Sequence, residues 1–386
     1  MITIFMLMAT YNHNASSGGT LAHKTVQLLI DRGYKVVVIT VGTVDSELIV
    51  QDEQLTVLNI PIGISSRRGL LLTRFAIIED YLSKWCENVI KFFENNQRPT
   101  VKDIVIATTV GELGTLHLGY EMKMRYGCKF VIHFHDPIKH AVVNGKKYGK
   151  YPLPYASREK YEEKYVLNAD RIVTCCGTFL KYLIDKYPSI RTKSRNFYFG
   201  WIESPTVQIH NKRKDSKLVI AYGGIFGWPQ GPEILAKAAK DIPDVKTVFI
   251  GNWQYYKPLL SLKFENMQLI PRMTHQDYLD FLINEVDIGF MSLSRSYFSA
   301  CVPAKLYEYC NTCKPILAAL PDGDAKDIIM NNEYGIAVNY NVSDLKKAII
   351  AFKQNDRNIY RQKLESDREK WAFDNQMGGF AEYVLS

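Results

Sequence analysis

Short runs rich in valine, isoleucine and leucine alternate with amphipathic stretches along this chain, and the series is laid down twice. In the first half the apolar runs are residues 3–9, 35–41, 55–60, 105–108, 130–135 and 171–175, with helical periodicity between several of them, as at 20–32. A polar stretch at 203–215 follows, containing Pro205 and the cluster Asn211, Lys212, Arg213 and Lys214. The series then resumes at 218–222, 247–250, 267–270, 288–291, 315–318 and 336–338, with helical patterns at 231–240 and 276–285. Runs this short bury both faces of a strand, and their regular spacing by helices predicts a parallel sheet covered on both sides. The expected fold is therefore α/β: two Rossmann-like domains facing each other across a cleft. Residues 1–205 and 206–370 are the expected domains, and 371–386 a C-terminal helix packing back toward the first. Ligands of such sheets bind outside the carboxyl ends of the strands, which points to that cleft.

Length and composition agree with two cores. At 386 residues the chain exceeds what one hydrophobic core comfortably fills, and 47% hydrophobic with 23% charged residues excludes a disordered or collagen-like polymer. The opening apolar run is far shorter than the ~20 residues of a membrane-spanning helix, and it lacks a basic leader and a cleavage site. The seven cysteines are odd in number and include the adjacent Cys175 and Cys176, unlike a disulfide framework. A soluble cytoplasmic protein is expected. Lys and Arg outnumber Asp and Glu by 48 to 40, an excess that suits phosphates, nucleotides or an acidic membrane face.

The most informative segment is residues 301–319, Cys-Val-Pro-Ala-Lys-Leu-Tyr-Glu-Tyr-Cys-Asn-Thr-Cys-Lys-Pro-Ile-Leu-Ala-Ala. Pro303 suits a first helical position, which leaves the amides near Val302, Ala304 and Lys305 as donors toward an anion such as a diphosphate. Lys305 and Glu308 share a helix face, offering a cation for phosphate and a carboxylate able to accept two hydroxyls, as from a ribose. Taken alone, the pair also reads as a surface ion pair.

In company with other stretches the segment resembles the PSK-x-x-EY-x-x-x-GKP motif of retaining enzymes of glycosyltransferase family four, which have the GT-B fold. Tyr222-Gly-Gly-Ile-Phe-Gly-Trp-Pro-Gln-Gly-Pro-Glu-Ile-Leu is similar to the opening of the second domain in a subgroup of that family. Ser17-Gly-Gly-Thr, followed by Leu28 and Arg32-Gly-Tyr-Lys-Val, resembles the family's start, with Tyr34 where histidine is usual. Ala169-Asp-Arg-Ile-Val-Thr resembles the strand that closes its first domain. The resemblance covers nearly the whole chain.

It implies transfer of a sugar from a nucleoside diphosphate donor, with retention, to a glycan or lipid-linked glycan acceptor, as in polysaccharide biosynthesis. The leaving group is a diphosphate, so positive charge and preorganised N–H donors should carry much of the catalysis without a metal or other cofactor. Lys305 and Glu308 are implied as catalytic, together with His135. Side chains alternate along a strand, so His133 and His135 point the same way and His135 lies nearer the ligand-binding end; in the family a histidine here sits beside the sugar. Donor contacts are expected from Gly18 and Gly19 in the first domain. In the second they are expected from Gly224, Phe226, Gly227, Arg272, Arg295, Val302, Pro303, Ala304 and Leu306, with Gly223 also leaving room. Asp136 either orients His135 or meets the acceptor. Arg67 and Arg68 at the start of an amphipathic helix, and Lys146 and Lys147 in a basic stretch with Lys139, Lys150 and Arg158, suggest acceptor contacts and an anionic membrane face. No nucleic-acid module is present.

The chain departs from the family pattern in three places. Ala300 stands where a first acidic residue is usual, Gln230 lies near the usual lysine, and Cys313 replaces a glycine where helices often end in a left-handed residue. Cys310-Asn-Thr-Cys313 lacks the second cluster of a structural zinc site. Asp322-Gly-Asp324 reads as a helix-capping turn, and the GxGxxG of a dinucleotide site is missing. A nucleotide-sugar epimerase of the same fold and a catalytically weak sugar- or nucleotide-binding scaffold are the alternatives.

Overall fold

The structure is a computed structural model that describes residues 2–11, 17–42, 47–50, 52–138, 142–143, 146–147, 155–208 and 217–386. Asn211, Lys212, Arg213 and Lys214, and likewise Lys139 and Lys150, lie outside the described residues. The chain divides into two units, one formed by Met1–Tyr198 with Met377–Ser386 and the other by Phe199–Gln376.

The first unit runs β1 (Thr3–Leu7), α1 (Ser17–Ile30), β2 (Lys35–Gly42), β3 (Glu47–Val50), β4 (Leu55–Pro61), α2 (Ser66–Arg74), α3 (Ser83–Asn95), β5 (Ile104–Thr109), α4 (Gly114–Tyr126) and β6 (Lys129–Phe134). It continues with a short ribbon of β7 (Val142–Val143) and β8 (Lys146–Lys147), then α5 (Tyr155–Asn168), β9 (Arg171–Thr174), α6 (Gly177–Lys186) and β10 (Ser194–Asn196). Its main sheet has the order β10-β9-β6-β5-β1-β2-β4-β3, parallel except for β3. Strands β5 and β6 are buried almost throughout, as apolar runs between two helical layers must be.

The second unit runs β11 (Leu218–Gly224), α7 (Glu233–Ala239), β12 (Val245–Gly251), α8 (Lys257–Leu260), β13 (Met267–Ile270), α9 (His275–Glu285), β14 (Ile288–Ser292), α10 (Ala304–Asn311), β15 (Ile316–Ala319), α11 (Asp324–Asn331), β16 (Gly335–Val338), α12 (Val342–Gln354), α13 (Asn358–Asp367) and α14 (Phe373–Gln376). Its sheet is wholly parallel, in the order β13-β12-β11-β14-β15-β16. Leu235, Phe249, Phe290, Leu317 and Phe352 sit at its fully buried core. The closing helix α15 (Phe380–Leu385) belongs to the first unit. There Phe380 packs its ring 5.0 Å from His133 and 5.9 Å from Phe197.

Most expected strands are found within a residue or two. Strand β3, a four-residue antiparallel edge strand, and β10, which reads Ser-Arg-Asn, were not among the expected strands.

Candidate functional site

Strand order reverses in the second unit between β11 and β14, and at such a switch point the two carboxyl ends leave a crevice for a ligand. Strand β11 is buried as far as Gly223 and ends at the exposed Gly224, whose φ of +118 favours a residue without a side chain. From β14 the chain makes a 3-10 turn at Ser296–Ala300 and enters α10. Pro303 stands one residue earlier than expected. Its ψ of 136 is extended, so it caps α10 instead of opening it, and its carbonyl accepts from Leu306 N at 3.0 Å. The first-turn amides of Ala304 and Lys305 have no helical carbonyl behind them. Ala304 is exposed and Val302 half-buried, whereas Leu306 is fully buried and anchors the helix in the core with Tyr309 and Cys310.

Lys305 turns its Nζ to 4.8 Å from the centre of the Tyr222 ring. The same Nζ lies 2.8 Å from where a Cβ on Gly224 would stand. Burial pushes the ammonium pKa down, against the opposing pull of Glu308. Phe226 stacks edge-on to Tyr222 at 5.2 Å and fills the space beside Gly251. The gap at Gly223 is taken by the Tyr278 ring, while Gly227 faces Gln230, whose buried Oε1 takes no hydrogen bond.

Glu308, one helical turn after Lys305, is met by a residue the sequence did not announce. His275, the first residue of α9, places Nε2 3.5 Å from Glu308 Oε1 and Nδ1 3.1 Å from Glu203 Oε2. The contact with Glu308 raises the imidazole pKa to about 9, against a desolvation penalty and with further help from Glu203. Asn311 Nδ2 donates to the Glu203 carbonyl at 2.6 Å, and Arg368 holds Asn311 in turn through Oδ1 at 2.7 Å.

Arg272 and Arg295 are both exposed. Arg295 opens the 3-10 turn, where its charge acts on the hydroxyls of Tyr297 and Tyr340. Ala300 is buried. Cys313 adopts the left-handed conformation with φ of 51, and Gly323 caps α11 at Asp324. Cys310 and Cys313 are buried free thiols, and among the described residues no group of three or more His, Cys, Asp or Glu side chains is placed to hold a metal ion.

In the first unit His133 is fully buried on β6, and His135 follows just past the strand's end with its ring centre 4.5 Å away. Cys175 Sγ approaches His133 Nε2 at 3.4 Å. Burial holds both imidazoles neutral, moving His135 down to about 3 and His133 well below its ordinary value. His135 N donates to the Thr109 carbonyl at 3.0 Å, and the charge of the neighbouring Asp136 raises the pKa of the buried Cys175 thiol beyond what desolvation does alone. Gly18 and Gly19 lie in the first turn of α1, with Gly19 buried. On the same helix His23 stacks on Tyr11 at 3.9 Å, a contact that no motif announces.

Arg67 and Arg68 stand on the first turn of α2, whose cap Ser65 accepts from Arg68 N at 3.4 Å. Lys146 and Lys147 form β8, and their side chains lie outside the described residues. Among the described residues no helix is long and apolar enough to cross a membrane.

Residues 204–371, which fall within the second unit, match the family described as glycosyl transferases group 1. No curated protein matches the chain. Among solved structures it is similar to sucrose-phosphate synthase from Thermosynechococcus elongatus, with a TM-score of 0.75 and 14% identity over 100% of this chain and 99% of that one. It is also similar to an α,α-trehalose-phosphate synthase (UDP-forming) from Burkholderia xenovorans in complex with glucose-6-phosphate, with a TM-score of 0.68 and 10% identity over 100% of both chains. A third is Anabaena HepE in complex with UDP and glucose, with a TM-score of 0.66 and 13% identity over 100% of this chain and 99% of that one. The two doubly wound units thus have the GT-B fold, and with a group 1 domain in the second of them the chain is an enzyme, a glycosyltransferase.

Proposed function

We propose that the enzyme moves a sugar, with retention, from a nucleoside diphosphate donor held mainly on the second unit to a glycan or lipid-linked glycan. The observation that carries this reading is the meeting of Lys305, Glu308 and Gly224 at the switch point, beside the capped start of α10. Lys305 and the first-turn amides suit the diphosphate, whose charge grows as the glycosidic bond breaks, and Glu308 suits ribose hydroxyls. A lysine already desolvated gives its charge to the leaving group at little further cost, which makes a bound metal unnecessary. The structures similar to this chain include complexes with UDP and with glucose-6-phosphate, and a UDP-sugar donor is a natural first candidate. On the first unit, α2 and the turn after it present Arg67 and Arg68 together with exposed Leu70, Leu71, Phe75 and Ile77, which suits a peripheral contact with an anionic membrane carrying a lipid-linked acceptor.

The test is a thermal-shift panel of nucleotide sugars, followed by analysis of the products formed with candidate acceptors. A selective shift, and a product keeping the donor's anomeric configuration, is expected. An inverted product would end the retaining assignment, and no response to any nucleotide sugar would end the donor-site assignment.

A further inference from the structure

The His275 imidazole lies between two carboxylates from different parts of the second unit, Glu203 on the entering segment and Glu308 on α10. Two carboxylate contacts set its place, and 44% of its side chain stays exposed. Thr274 caps α9 by accepting from Asp277 N at 3.1 Å, which sets the helix's first residue. Glu203 is fixed to α10 through Asn311. Of the other acids on α9, Asp277 engages the Thr274 hydroxyl at 2.6 Å and Asp280 engages Thr206, while Glu285 is the last residue of the helix. The charges bearing on this imidazole are therefore Glu203 and Glu308, with Lys305 acting on Glu308 from the preceding turn.

Two carboxylates beside a diphosphate site oppose the donor's own charge and repel each other. An imidazolium between them cancels one charge and holds Glu308 by one oxygen, leaving the rest of the carboxylate for ligand hydroxyls. We propose that His275 is a positioning residue which, as an imidazolium bridging Glu203 and Glu308, fixes the Glu308 carboxylate for the donor's ribose and makes donor binding sensitive to pH. This rests on the donor-site reading above. The imidazole pKa of about 9 keeps the bridge charged through neutral pH and releases it as pH rises through that value.

The experiment measures binding of UDP, GDP and ADP calorimetrically to the full chain between pH 6.5 and 10, alongside donor KM and kcat with the preferred nucleotide sugar. For the native protein, affinity for the preferred nucleotide should fall as pH passes about 9. His275→Gln should weaken binding roughly tenfold, the worth of one charge-assisted hydrogen bond, with no limb near pH 9 and with KM affected more than kcat. His275→Arg should restore binding at neutral pH and remove the His275 limb, so that any loss remaining toward pH 10 belongs to the Lys305 ammonium, whose pKa burial pushes down. Because a substitution here also touches the fold, the native histidine is followed by NMR in the unliganded protein. Its titration should lie near 9 and move down in Glu203→Gln. An ordinary titration near 6.5 overturns the proposal, as does His275→Gln binding like the native protein with its limb intact. Failure of the native protein to bind any nucleotide instead overturns the donor site itself, and the role of His275 with it.

Discussion

Lys305 and Tyr222 are paired across the switch point of the second unit, the ammonium standing 4.8 Å from the ring centre. A cation over an aromatic face loses less on leaving water than one placed against aliphatic carbon. The pairing therefore lets a lysine be desolvated yet charged where a diphosphate would lie, with Gly224 supplying the missing wall.

Removing that charge should cost turnover more than folding. Lys305→Ala should lower donor-dependent release of nucleoside diphosphate at least tenfold, since a charge-assisted phosphate contact contributes about 1.5–3 kcal/mol. Gly224→Ala should act on the same residue from outside: its Cβ would come within 2.8 Å of Nζ, and its φ of +118 disfavours any side chain. A several-fold rise in donor KM is expected for Gly224→Ala. Initial rates with purified variants decide the matter, and a Lys305→Ala enzyme as fast as the native one would remove Lys305 from the site.

How much of this was legible in the sequence follows from whether each feature is local. The strands were, because an apolar run such as 218–222 can only be buried on both faces. Pairs along one helix were too, since Lys305 and Glu308 need only the helical repeat to share a face. The histidine bridge was not: His275 is 72 residues from Glu203, and neither lies in a motif. Gly223 was expected to leave room for a ligand, yet the room is used by Tyr278, a residue whose sequence position shows only helical periodicity. Cys313 sits between these extremes. Its replacement of a glycine was visible, and its φ of 51 shows the chain keeping the left-handed helix end despite the Cβ.

Acid should weaken the first unit through its paired histidines. In the folded chain His133 and His135 stay neutral, His135 down to about 3, whereas unfolded imidazoles take up protons near 6.5. Between those values the unfolded state binds more protons, so stability is full above about 6.5 and falls as pH drops below it. His275 works in the opposite direction, its contribution complete below 6.5 and lost as pH rises through about 9. Melting curves from pH 4.5 to 10 should thus fall at both ends. His133→Phe should flatten the acid limb; a limb unchanged in that variant would show that other groups produce it.

The proposed membrane contact through α2 makes a separate prediction. Phe75 and Ile77, at and just past the C-terminal end of α2, are 58% and 68% exposed, and Arg67 and Arg68 stand on its first turn, an apolar exposure costly in water and favourable at a lipid surface. The protein should co-sediment with vesicles containing anionic phosphatidylglycerol more than with pure phosphatidylcholine. Reversing both charges in Arg67→Glu/Arg68→Glu should lower binding at least tenfold, at about 1 kcal/mol for each cation lost. Equal binding of native and reversed proteins to both vesicles would exclude an electrostatic contact here.

The second unit closes its own ends on one another, and Gly200 controls that closure. Trp201 N donates to the Trp371 carbonyl and Phe373 N to the Trp201 carbonyl, each at 2.8 Å. Arg368 lies 4.6 Å over the Trp201 ring and accepts from its indole at 2.9 Å through the main-chain carbonyl. Gly200 has φ of 75, and a Cβ there would collide with the Trp371 carbonyl. Gly200→Ala should therefore combine left-handed backbone strain of about 1–2 kcal/mol with a backbone displacement that breaks this pairing. At about 2–4 °C per kcal/mol for a unit of this size, the melting temperature should fall by roughly 5 °C or more. Gly200→Asn, which tolerates the left-handed region better but still carries a Cβ, should fall too, and by less. Calorimetry of the full chain separates the two contributions, and native-like melting of Gly200→Ala would mean that the ends pair without the close approach.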